Sequence, residues 1–261
     1  GRYSGSTPMR PFKAGEPGEV MLSGLQPDTR YFYRFRGGQA DSPEHEFHTA
    51  RPPGADFTFT ITADSHLDSN TDPATYSRTL ASALAGRPDF HIDLGDTFMS
   101  EKHANREAAA RQYLSQRYYF GQLCHSTPLF LALGNHDGED PRGRDDNWSK
   151  TLGRTQYEWL KQTLENSRAR FKFVFIHHLV GPANQQNRGG TEAASQGEWG
   201  GQNADGTAGW EEHRSGWVAP IHDLLVKNKC SVVFHGHDHL YAKQDLDGVV
   251  YQEVPQPGSK G

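Results

Sequence analysis

Cysteine is nearly missing from this 261-residue chain, which has only Cys124 and Cys230. Two thiols so far apart build neither a disulfide framework nor a cysteine-rich zinc site, and they read as small structural hydrophobes. Long apolar runs are missing as well. Hydrophobic residues make up 34% of the chain, and no stretch supplies the roughly 20 apolar residues of a membrane-spanning helix. Nor is there an excess of positive charge. The formal net charge of −5 offers no broad cationic face, so nucleic acid is a disfavoured partner. A phosphorylated substrate stays open, because a bound cation adds local positive charge that a residue count omits. The length suits one large domain, or one with a small appendage.

What is present divides into two stretches. In residues 1–50, Val20–Leu22, Tyr31–Phe35 and His45–Thr49 read as short strands between Gly, Pro and Asp turns. The run from Gly24 to Tyr33 resembles a turn and strand from the second half of a fibronectin-type-III-like sandwich. A whole sandwich of that kind takes about 100 residues, so a truncated β-sandwich element is expected here. Arg51-Pro52-Pro53-Gly54 reads as a linker. From residue 55 to 261 strands and helices alternate. Strands are expected at 56–63, 89–94, 128–133, 171–176 and 231–234, and helices at 74–85, 104–123, 156–166 and 220–227. Asp72-Pro73 opens the first helix as cap and first-turn proline. Asp247-Gly248 marks a hairpin. Such alternation means an α/β fold with helices on the faces of its sheets.

Five short motifs punctuate that pattern: Asp64-Ser65-His66, Gly95-Asp96, Gly134-Asn135-His136-Asp137, His177-His178 and Gly236-His237-Asp238-His239. All but the histidine pair come directly after an apolar, β-prone run, and parallel strands deliver the residues at their C-terminal ends to one sheet edge. Singly, each residue is more simply a turn, a cap or an ordinary half-buried histidine. Together they make a set of nitrogen and hard oxygen donors without thiolate, suited to a pair of Zn, Mn or Fe ions. A carboxylate such as Asp96 can bridge two cations. Two metals roughly 3.5–4 Å apart polarise a phosphoryl group and lower the pKa of a bridging water.

The ordered set resembles the calcineurin-like metallophosphoesterases, over about residues 55–255. The sandwich remnant makes it similar to their purple-acid-phosphatase-like branch. The resemblance implies a metallophosphoesterase-type β-sheet sandwich flanked by helices. It implies two divalent or mixed-valence ions, with Asp64, His66 and His239 on the first, Asp96 bridging, and Asn135, His177 and His237 on the second. By the same resemblance, catalysis falls to His136, which contacts phosphate and protonates the leaving oxygen, oriented by Asp137. The implied activity is hydrolysis of a small phosphoester, monoester or diester, by a hydroxide attacking phosphorus in line. A secreted or periplasmic location rests only on the resemblance. A non-catalytic binding protein that keeps the fold, or a nuclease, is the alternative.

The chain also departs from those patterns. Purple acid phosphatases carry a tyrosine ligand where this chain has Met99, and their first motif usually lacks the histidine found here as His66. The Asp-Arg-Gly of protein serine/threonine phosphatases is replaced by Phe98-Met99-Ser100. His178 is expected behind the metal or facing substrate. Residues 138–155 are contracted relative to the family pattern, or lack residues. His235 extends the last motif toward a metallo-β-lactamase-like run, but the spacing is one residue short. The Gly- and Asn-rich stretch 181–215 is expected to overhang the metals as a loop. Arg188, Trp199 and His213 in that loop, and Lys102 and His103 beyond Asp96, are its weaker substrate-contacting candidates.

Overall fold

The structure of the protein is a computed structural model, which describes residues 3–37, 41–137, 147–179 and 190–260. Two antiparallel strands, β1 (Arg30–Tyr33) and β2 (His45–His48), form a hairpin by themselves. It docks on the α/β part through the Tyr33 hydroxyl, which donates to the His125 carbonyl, and through a His45–His125 ring contact of 4.5 Å. The expected strand at Val20–Leu22 does not form. Met21 is 85% exposed, and among the described residues no second sheet lies there for it to pack on. A fibronectin-type-III-like sandwich is therefore not shown.

The α/β part contains two sheets. The first is fully parallel, in the order β3 (Phe59–Thr62), β4 (Phe90–Asp93), β5 (Leu129–Leu131). The second has the order β6 (Phe173–Phe175), β7 (Val232–His235), β9 (Val249–Glu253), β8 (Ala242–Leu246), with only the β8–β9 hairpin antiparallel. The two sheets face each other across Phe59, whose ring meets Phe175 and Phe234 edge-on at 5.9 and 5.8 Å. Ala63, Ile92 and Leu94 complete that layer.

Helices close the outer faces. Against the first sheet lie α1 (Pro73–Ala85) and α2 (Arg106–Cys124), joined through Tyr76, Leu80 and Leu123. Asp72 caps α1 as expected, accepting from the amides of Ala74 and Thr75. Against the second sheet lie α3 (Gly153–Asn166) and α7 (Ile221–Lys227). Three short helices stand with them: α4 (Gly190–Ala193), α5 (Gly197–Gly200) and α6 (Trp210–His213).

These three helices lie within 190–215, where a loop was expected; the first part of that stretch, 181–189, lies outside the described residues. Trp199 is wholly buried, and its indole N–H donates to the Tyr251 hydroxyl at 2.9 Å. Burying so large an apolar side chain outweighs the polar composition around it. Its neighbour Glu198 is buried as well, paired with Arg214 at 2.7 Å. His213 stacks on Trp148 with ring centres 4.5 Å apart. Trp199 is thus spoken for by packing, whereas His213 keeps a partly exposed side chain. Among the described residues, no helix is long and apolar enough to cross a membrane.

Candidate metal centre

Strand ends bring the motifs together. Asp64 comes after β3, Gly95-Asp96 after β4, Asn135-His136 after β5, His177 after β6, and His237 and His239 after β7. The backbone turns sharply at each. Asp64, His66, Asp96, His237 and His239 all have φ between 49° and 83°, a left-handed conformation that side chains other than glycine seldom adopt. Such residues persist where the surroundings over-determine them, and they concentrate at functional sites. Two motif glycines make the room. A Cβ on Gly95, at φ 106°, would fall 2.3 Å from the Gly134 nitrogen, and one on Gly236 would fall 2.5 Å from Asp64 Oδ2.

The donors form three overlapping groups. Asp64, His66 and His239 make one, Asp64, Asp96 and His177 a second, and His177, His178 and His237 a third. Asp96 Oδ2 is central, 3.7 Å from His66 Nε2 and 3.3 Å from His177 Nε2. Asp64 Oδ1 lies 3.5 Å from His239 Nε2, 3.8 Å from His66 Nε2 and 3.9 Å from His177 Nε2. Asn135 Oδ1 and His237 Nδ1 each stand 3.1 Å from His177 Nε2. The ring of His178 stacks on that of His237, with centres 4.8 Å apart.

A cation fits this set. Asp64 Oδ1 and His66 Nε2 are buried without a hydrogen-bond partner, an arrangement costly for polar atoms left so. They face each other across gaps too long for hydrogen bonds. Donors each held about 2.0–2.2 Å from one ion stand roughly 3–4 Å apart, which is the spacing observed. The remaining ring nitrogens are turned outward. His177 Nδ1 donates to the Leu94 carbonyl at 3.2 Å, and His66 Nδ1 faces Asp68 at 3.5 Å. Such contacts fix which nitrogen is offered to the centre.

The electrostatics agree. Burial alone would raise the Asp64 and Asp96 carboxyls, but the histidines around them hold both well below the usual carboxylate range. Burial would likewise lower His66, yet Asp64 and Asp96 outweigh it and lift the ring to about 9. The His177 ring moves upward for the same reason. Beneath the last motif, burial pushes Glu253 up to about 8 and His235 down to about 4. His235 is buried on β7 and belongs to none of the donor groups.

One part of the expected site comes out differently. Asp137 does not touch the His136 ring. Its carboxylate accepts from the amides of Thr97, Phe98, Met99 and Gly134, between 2.6 and 3.2 Å. Those four donors converge on it because the loop after β4 folds over the turn after β5. The imidazole Nδ1 of His136 instead meets the Glu101 carboxylate, while Nε2 looks toward Asp96 Oδ2 at 3.9 Å. His103, next to Glu101's turn, belongs to none of the donor groups. Arg188 lies outside the described residues.

Sequence reasoning missed three supporting residues, namely Glu101, Asp68 and Gln116. Gln116 is fully buried on α2 and donates to the Ser65 hydroxyl at 2.9 Å and the Thr97 carbonyl at 2.8 Å, tying two motif loops together. Its signal was a glutamine on the same helix face as Phe120 and Leu123. Glu101 carries no such signal.

Comparison with known proteins gives the centre a family. Among solved structures, a purple acid phosphatase, PPD1 from yellow lupin (Lupinus luteus) seeds, is 16% identical with a TM-score of 0.58. The match covers 91% of this chain and 52% of that one, so the chain spans about half its length. GAP50, the anchor in the inner membrane complex of Plasmodium, is 10% identical with a TM-score of 0.48, covering 77% of this chain and 72% of that one. No curated protein sequence matches. The profile of calcineurin-like phosphoesterases matches residues 57–241, well over half of the sequence, and the chain belongs to that family.

Proposed function

We propose that the chain is a two-metal phosphoester hydrolase. The single observation that carries this reading is the place of Asp96 Oδ2 between His66 and His177, with the partnerless Asp64 Oδ1 beside them. Asp64, His66 and His239 would hold one cation and Asn135, His177 and His237 the other, with Asp96 shared. Bound there, the cations would polarise the phosphoryl group and supply hydroxide near neutral pH.

The chain's own residues do the rest. Asp64 and Asp96 balance the charge of the centre. His178, whose ring stacks on His237, flanks the second group. His136 Nε2 looks into the same space and is 30% exposed in its side chain, so a substrate oxygen can reach it. As the ester P–O bond breaks, its electron pair goes to the leaving oxygen, and His136 gives that oxygen a proton. A hydroxide oxygen would form the new bond to phosphorus, so a monoester would give an alcohol and phosphate, and a diester an alcohol and a phosphomonoester. The substrate class is a small phosphorylated molecule.

The test is a paired assay of purified protein with nitrophenyl phosphate and bis(nitrophenyl) phosphate, each with Mn, Fe and Zn. Release of nitrophenolate that stops on chelation and returns with metal is the expected result. No hydrolysis of either ester with any of the three metals would overturn the reading.

A further inference from the structure

We infer that Glu101 is the positioning residue for His136, and that Asp137 acts one step further back by holding the loop on which Glu101 stands. The chemical consequence rests on the hydrolase reading above, whereas the contact itself does not.

Glu101 sits in a single 3-10 turn, Ser100–Lys102, just beyond the Gly95-Asp96 motif. One of its oxygens meets His136 Nδ1, and the other is buried without a hydrogen-bond partner. The carboxylate is thus committed to the ring. The turn reaches that place because Met99 before it is buried and takes a left-handed φ of 49°. Asp137 stabilises this bend by gathering the amides of Thr97, Phe98 and Met99. The line of support therefore runs from Asp137 through residues 97–99 to Glu101, and from Glu101 to the ring. It loops back to the residue next to the one it orients.

The contact settles the ring's chemistry. With Nδ1–H donated to Glu101, Nε2 is the nitrogen left to face the centre. When Nε2 passes its proton to the leaving oxygen, the ring ends neutral with Nδ1–H still on Glu101. The effect should depend on the leaving group. A nitrophenolate departs without a proton, whereas an alkoxide does not.

The experiment compares Glu101→Ala and Glu101→Gln with the wild type on an alkyl phosphate and on a nitrophenyl phosphate. Metal content is measured alongside. Glu101→Ala is expected to lower kcat on the alkyl ester by at least about 10-fold, within the roughly 10²–10⁴-fold that a general acid contributes. The nitrophenyl ester should change by less than about 3-fold, metal content should hold, and Glu101→Gln should recover part of the loss. A second readout needs no metal. In metal-free protein with ¹⁵N-labelled histidine, at a pH where the ring is neutral, His136 should show its proton on Nδ1, and Glu101→Ala should mix the tautomers. An equal fall on both esters, or unchanged His136 nitrogen signals, would overturn the inference. A wild type inactive on both esters would count against the hydrolase reading, and the nitrogen signals would still decide this one.

Discussion

Replacing Asp96 by alanine should strip the centre of both cations and abolish hydrolysis. The expectation comes from one atom. Asp96 Oδ2 stands 3.7 Å from His66 Nε2 and 3.3 Å from His177 Nε2, one imidazole from each cation's proposed ligand set, so its replacement removes the proposed shared ligand. Asp96 Oδ1 also accepts the His136 amide at 2.8 Å, and its loss frees the turn that carries Asn135 and His136. Deleting one fixed donor to a developing charge typically costs about 10²–10³-fold in rate. Loss of the shared ligand should therefore cost more than about 10³-fold. Metal analysis of the dialysed variant alongside the nitrophenyl assay checks both parts. A variant that keeps its metal, or half its activity, would show that Asp96 does not join the two groups. Folding should survive, since the centre lies at the strand ends rather than between the sheets.

The second large effect concerns stability. Trp199→Ala should destabilise the protein by about 3–5 kcal/mol, the usual range for deleting a large buried aromatic side chain. At roughly 2–4 °C per kcal/mol for a chain of this order of size, the melting temperature should fall by about 10 °C. Trp199 packs in the largest core cluster with Tyr157, Leu179, Ile221 and Tyr251. Its loss also removes the indole donor from the Tyr251 hydroxyl, which retains His222 at 2.8 Å. Trp199→Phe should cost less, because it keeps most of the volume and forfeits one hydrogen bond worth about 1 kcal/mol. Urea denaturation of the three proteins measures this. A Trp199→Ala protein within about 1 kcal/mol of wild type would mean that residues 190–200 are a surface appendage rather than core.

That stretch also shows what sequence alone leaves illegible. Glycine, asparagine and glutamine around Trp199 carry no period, so its burial depends on a partner, Tyr251, some fifty residues away. Glu101 is hidden for the same reason, because it meets His136 only through the fold. Val20–Leu22 has strand-like composition but no sheet to join. Local signals, by contrast, could be read directly. Asp72-Pro73 caps its helix through amides two and three residues on, and Asp247-Gly248 turns its hairpin with φ of 50° and 82°. The motifs were legible because each strand end reports its own position; parallel pairing brings those ends to one edge of each sheet, and the packing of the two sheets brings the two edges together. The partner of the His136 ring could not be read that way. The resemblance gave that role to Asp137, but its carboxylate is taken by three amides of a neighbouring loop and by that of Gly134 in its own turn.

The central claim is that the adjoining edges of the two sheets hold two cations, and calorimetric titration of the metal-free protein with Mn or Zn tests it most directly. Asp64 and Asp96 lift His66 to about 9, so in the metal-free centre that ring is protonated at neutral pH and must lose its proton when a cation takes Nε2. Two equivalents per chain should bind, with proton release and with affinity that strengthens as pH rises toward 9. Binding of a single equivalent, or of none, would contradict the account.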